Sequence, residues 1–151
     1  EAGVLTIFNP APASKELPDE VFKLSDVCCP NETEAEILTG IPVRDDESAA
    51  QAAQKLLDRG AQNVIVTLGA RGSLLVTGSE TVHVPATLVQ PVDTTGAGDA
   101  FVGSLAFFLG AGKPIAEAIN FANHIAGVSV QGRGTQSSFP RQTELPREIF
   151  T

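Results

Sequence analysis

SAAQAAQKLLDRGAQNVIVTLGARGSLLVT, residues 48–77, carries two periodicities back to back. Residues 48–59 are dominated by Ala, Gln, Lys and Leu, strong helix formers, and they stop at Gly60, a residue suited to the left-handed end of a helix. Residues 63–68 are β-branched and apolar and stop at Gly69, which predicts a buried strand reached from the helix by a short loop. A second apolar run at 72–77, the turn Gly78-Ser79 and the alternating run 80–85 predict a hairpin. Helix, strand and hairpin in this order point to an α/β sheet flanked by helices, with antiparallel pairing entering at one side.

Upstream, Asn31 opens NETEAEILTG: a capping Asn, acidic residues in the first turn and Gly40 as a stop predict a helix. Residues 26–29 and residues 4–8 (VLTIF) read as two further strands, the latter ending in Asn9-Pro10-Ala11-Pro12. Downstream, Leu88-Val89 is a candidate short strand. A helix is predicted from Asp99 through Leu109, broken at Gly110-Ala111-Gly112-Lys113, with a second starting at Pro114 in the first-turn position and running to about Ser129. A Gly-, Ser- and Thr-rich loop, residues 131–138, leads into a polar tail. Neither internal repeats nor a linker between domains is present, so residues 1–151 are treated as one unit.

The chain has 151 residues, 42% hydrophobic and 19% charged, a balance that fits a folded domain with a sizeable core. A net charge of -8 with ten scattered Lys and Arg argues against a general electrostatic grip on nucleic acid or anionic membrane, and favours small-molecule or protein partners. No apolar run reaches a membrane span. A cytoplasmic location is expected, with the nucleus as the alternative. The only cysteines, Cys28 and Cys29, are adjacent in an apolar segment; in a strand they would face opposite ways and stay unbridged, as buried thiols. His83, between Val82 and Val84, is expected on the solvent face of a strand, and His124 on a helix surface or in packing. The chain contains no Met, which suggests a processed or truncated piece.

Residues 93–101, DTTGAGDAF, place two glycines and two carboxylates ahead of the helix at 99. The dinucleotide pattern GxGxxG fails at Phe101, and GxxxxGK[ST] occurs nowhere in the chain. Two alternatives remain. Asp99 or Thr95 could simply cap the helix. Otherwise the free N–H groups of a glycine-rich first turn could hold charge developing on a phosphoryl group, while Asp99 takes a proton from an attacking hydroxyl.

DTTGAGDAFVG resembles the signature of the ribokinase-like (phosphofructokinase-B type) carbohydrate kinases, and NPAPA, PNETEAEILTG and VTLGARG match that family in the expected order along nearly the whole chain. The resemblance implies ATP-dependent phosphorylation of a sugar, with D-ribose phosphorylated at its 5-hydroxyl as the leading candidate. It makes Asp99 the catalytic base, in contact with the sugar, and Gly96, Ala97 and Gly98 the anion hole. It assigns Asp93, the backbone of Thr95, and Ser129, Gly132, Gly134 and Ser138 to a potassium site. Asn31, Thr67, Gly69, Gly72 and Asn123 become nucleotide contacts, the last at the adenine. Glu34 organises magnesium through water, although Asn31-x-x-Glu34 is also a capping box in its own right.

Whole members of the family carry an additional N-terminal half with the sugar contacts, the first strands and a β lid. The resemblance therefore implies that this chain is the C-terminal, nucleotide-binding half, inactive alone, of an enzyme that is a homodimer at full length. A non-catalytic module that binds nucleotide or pairs with another chain is the alternative.

Overall fold

The computed structural model describes residues 3–150; Glu1, Ala2 and Thr151, and with them the two ends of the single unit expected over 1–151, lie outside the described residues. The chain forms two compact units. The first runs up to Gly69 and takes in Ser73–Val84; the second consists of Ala70–Gly72 and everything from Pro85 onward.

The first unit holds a five-stranded sheet in the order β1-β2-β3-β4-β5. Strands β1 (Ile7–Phe8), β2 (Val27–Cys28) and β3 (Asn63–Thr67) run parallel, and β4 (Ser73–Thr77) and β5 (Thr81–Val84) add antiparallel pairs, Val64 facing Val76 and Leu75 facing Val82. Helices α1 (Asp19–Lys23), α2 (Glu32–Thr39) and α3 (Asp46–Asp58) occupy the connections between the parallel strands, which need crossovers where antiparallel strands need only a turn. The hairpin falls where the alternation at 72–85 predicts it.

The period of two sorts the strand residues. Cys28, Val64, Val66, Leu74 and Val76 join Ala35 and Leu38 of α2 and Ala49, Ala52, Ala53 and Leu56 of α3 in one apolar core. The alanines let α3 lie close to the sheet. Val27, Cys29, Ile65 and Leu75, of opposite parity, are each at most 1% exposed, so these strands are apolar on both faces, as parallel strands usually are. Cys28 and Cys29 are both buried and unbridged as expected, and burial pushes the Cys28 thiol up to about 12 and the Cys29 thiol higher.

Arg59, the last residue of the α3 turn, ties this unit together. Its guanidinium donates to Leu17 O at 2.6 Å, Leu38 O at 3.2 Å and Asp19 Oδ1 at 2.7 Å, and stacks 4.3 Å from the centre of the Phe22 ring. His83 is exposed on β5, as predicted, with Nδ1 3.3 Å from Asp46 Oδ2.

The second unit is built on α4 (Ala97–Gly110) and α5 (Ile115–Ser129), which pack together through Phe108 and Phe121, ring centres 4.8 Å apart. Short 3-10 turns at Gln136–Ser138, Gln142–Glu144 and Arg147–Phe150 follow. His124 is half-buried on α5.

Three expectations are corrected. Leu88-Val89 forms no strand: the run lies between Pro85 and Pro91, which lack the N–H a ladder needs, and Leu88 is 85% exposed. Pro114 stands one residue before α5, with ψ 144°, rather than in its first turn. Helix α4 begins at Ala97, two residues ahead of Asp99, because Gly96 adopts the left-handed conformation from which the helix starts. Among the described residues no helix is long and apolar enough to cross a membrane.

Candidate active site

The candidate residues fall in two groups, one in each unit. In the first, Asn31 lies just past the end of β2. Its side chain accepts from Glu34 N at 2.8 Å, and its own N–H donates to Glu34 Oε2 at 2.8 Å, completing the capping box that the sequence predicts for α2. Thr67 N donates to Pro30 O at 3.0 Å, and Asn31 and Thr67 form an isolated parallel bridge. The ends of β2 and β3 thus bring Asn31, Glu34 and Thr67 together at the carboxyl edge of parallel strands, where open α/β sheets bind ligands. Gly69 follows, with φ +57°, and a Cβ there would meet nothing within 4 Å. Backbone conformation, rather than lack of space, is what calls for glycine at that position.

The second group surrounds the start of α4. Gly96 is the N-cap residue, with φ +83°, and no side chain caps the helix. The capping alternative for Thr95 and Asp99 is therefore not realised. Ala97 N donates to Thr94 O at 3.2 Å, whereas Gly98 N and Asp99 N donate to no group among the described residues. Open space lies beside Gly98, where a Cβ would meet nothing within 4 Å. Free amides at the positive end of a 14-residue helix, with open space beside them, suit an anion. Asp99, in the same turn, is exposed.

Asp93 is half-buried just upstream. Its Oδ1 accepts from Thr95 N at 3.0 Å and its Oδ2 from Gly134 N at 2.9 Å, joining the segment before α4 to the loop after α5. The Thr95 hydroxyl, then the Gly134 and Thr95 N–H groups and the Arg133 charge, lower its carboxyl from 3.8 to about 2. The rest of the proposed cation loop is close by. Gly132 N donates to Ser129 O at 3.2 Å, and a Cβ at Gly132 would fall 3.1 Å from Ser138 Cβ. Ser129 is buried, its hydroxyl donating to Ala126 O at 2.8 Å, and Gly134 has φ +85°. Gly72, with φ +100°, also belongs to this unit, as does Asn123, 6% exposed on α5 and engaged by contacts of its own.

The donor chemistry fits the implied cations. The Asp93 carboxylate, tied by backbone N–H groups to Thr95 and to the Gly134 loop, supplies oxygen donors of the kind a hard monovalent ion takes. Glu34 offers a single carboxylate, one oxygen of which accepts from Asn31 N, and one carboxylate suits magnesium that keeps its waters. Two contacts to the first turn of α4 escaped sequence reading: Thr135 and Phe139 lie against Gly96. The only local signal was the SSFP run, which does not reveal a contact made across α4 and α5.

A profile described as pfkB family carbohydrate kinase matches residues 1–142. The chain is 49% identical to the ribokinase of Mus musculus over 153 residues, covering 99% of this chain and 47% of that protein. It is 46% identical to the deoxyribokinase of Salmonella typhi over 138 residues, covering 91% of this chain and 45% of that one. The structure of Arabidopsis thaliana ribokinase complexed with ribose and ATP superimposes with a TM-score of 0.88 at 35% identity, over 95% of this chain and 46% of that one. The chain thus spans about half the length of the curated relatives it matches. Motifs, fold and relatives agree: the chain belongs to the pfkB family of carbohydrate kinases.

Proposed function

We propose that the intact protein is an ATP-dependent sugar kinase that converts D-ribose to ribose 5-phosphate. The observation that carries this proposal is the first turn of α4, which has two amides without a partner among the described residues and an exposed carboxylate, in a chain 49% identical to a ribokinase. Asp99 accepts the proton of the sugar 5-hydroxyl as that oxygen bonds to the γ-phosphorus. The bond from phosphorus to the β-γ bridging oxygen breaks, and ADP leaves. In the anion hole at Gly96, Ala97 and Gly98, the free N–H groups of Gly98 and of the adjoining Asp99 stabilise the charge on the equatorial oxygens, while Ala97 N stays bonded to Thr94 O; this suits a reaction governed by positioning and electrostatics rather than covalent help.

Asn31, Thr67, Gly69, Gly72 and Asn123 hold the nucleotide, and Glu34 receives the hydrated magnesium ion. That ion supplies neutralisation of phosphate charge. Asp93, the Thr95 backbone and Ser129, Gly132, Gly134 and Ser138 hold potassium, which supplies a fixed positive charge beside the anion hole without a titrating proton. Cytoplasmic residence and a homodimer belong to the same proposal, the latter open to light scattering.

The likeness to a deoxyribokinase makes 2-deoxyribose the competing substrate. A coupled ADP-release assay on the purified intact protein, with ribose and deoxyribose titrated separately, tests both. Ribose-dependent ADP release with higher kcat/KM for ribose supports the assignment; preference for deoxyribose replaces the substrate, and no sugar-dependent release rejects the kinase.

A further inference from the structure

Gly96 is held from behind. A Cβ on this residue would lie 3.3 Å from Thr135 Cα, 3.4 Å from Thr135 Cβ and 3.4 Å from Phe139 Cε1. The loop after α5 thus closes off the space behind the head of α4, with the edge of one aromatic ring where a side chain on Gly96 would meet it. That loop is braced internally. Ser138 donates to Thr135 O through both its hydroxyl, at 2.7 Å, and its N–H, at 3.2 Å, and Gly134 N is held by Asp93 at 2.9 Å.

We infer that Phe139, with the backbone of Thr135, is a positioning residue for phosphoryl transfer: it fixes the Gly96 peptide and so sets the direction in which the Gly98 and Asp99 amides and the Asp99 carboxylate face. The inference rests on the assignment of the α4 first turn as anion hole and base. A glycine at positive φ has wide backbone freedom, and no side chain caps this helix to restrain it. The Phe139 ring limits that freedom at Gly96, and the Asp93 bond to Thr95 N holds the residue before it. Catalytic groups must be held to within about 0.5 Å, so losing the wall acts on the transition state more than on ground-state binding.

Phe139→Leu keeps an apolar side chain but withdraws the ring edge, whereas Phe139→Tyr keeps it. In the intact protein we expect Phe139→Leu to lower kcat by about tenfold, with KM for sugar and nucleotide within about twofold, and Phe139→Tyr to stay within about twofold of the parent. Native-state amide exchange at Thr95 and Gly134 quickens in the Leu variant and not in the Tyr variant. An unchanged kcat in the Leu variant overturns the inference, as does a loss that follows only the fraction of unfolded protein. Asp99→Asn is measured alongside: if it retains turnover, the underlying site assignment fails. Amide exchange still decides whether Phe139 holds the loop, and unchanged exchange there rejects the contact itself.

Discussion

Replacing Asp99 by Asn separates catalysis from stability, because the structure gives the two properties different sizes at this residue. The side chain is exposed and caps nothing, so the fold loses only the attraction between a carboxylate and the amino end of α4. That attraction is worth about 0.3–1 kcal/mol at an exposed site. For a protein of this length or longer the corresponding drop in Tm is at most about 4 °C. Asn has nearly the same shape but cannot accept the proton, and lost general-base assistance slows turnover by about 10²- to 10⁴-fold, a barrier increase of about 2.7–5.5 kcal/mol. The assay is steady-state ADP release from the intact protein with saturating ribose, ATP, magnesium and potassium, paired with thermal unfolding and nucleotide titration. The expected pattern is a large fall in kcat with nearly unchanged nucleotide affinity and Tm. Turnover within about tenfold of the parent, below the range of general-base effects, refutes the base assignment. A Tm drop well beyond about 4 °C refutes the view that Asp99 is structurally idle.

Arg59→Met keeps the aliphatic stem but leaves Leu17 O and Leu38 O without their charged donor, and should cost about 2–4 kcal/mol in urea unfolding; a loss under about 1 kcal/mol contradicts the tie between α1, α2 and α3. Asp93 titrates from 3.8 to about 2 on folding, so its stabilising effect is complete above the unfolded value and lost as pH falls through the folded one. The urea midpoints of the parent and Asp93→Asn should therefore differ at pH 5 and converge toward pH 2; a gap that stays constant shows that ionisation is not involved. Potassium should activate the intact protein several-fold more than sodium at fixed ionic strength, and Asp93→Ala should blunt the difference; equal rates in potassium, sodium and a bulky organic cation reject the site.

What could be read from sequence was what neighbours in sequence decide. The capping box at Asn31, the Gly40 stop, the α3-to-β3 transition and the hairpin depend on residues a few positions apart, and all stand where expected. Helix α1 was not legible, since five residues with one buried side chain, Phe22, show no periodicity. Strands β1 and β2 contribute only two residues each to the ladders, so their extent was overestimated. In the candidate site, the roles suggested for Gly96, Gly98 and Asp99 follow from a local motif. The engagement of both Asp93 oxygens by backbone amides did not: Gly134 is 41 residues away, and nothing near Asp93 announces it. Phe139 was missed for the same reason. A contact between a glycine and a ring edge has no composition signature at either end.

The Asp93–Gly134 bond also acts as a ruler. It closes a circuit through α4, the connector at 111–114 and α5, so the two arms must arrive in register for the circuit to shut. Inserting one residue inside either helix turns everything beyond it by about 100° and advances it by about 1.5 Å, carrying Gly134 out of reach. The connector, with Gly112 at φ +81° and mostly exposed residues, can absorb a change of length without disturbing either helix. Insertions and deletions in this half of the molecule are thereby confined to the tip of the helical hairpin, and the spacing between the motif at 93–99 and the loop at 132–139 becomes as much a part of the signature as the residues themselves.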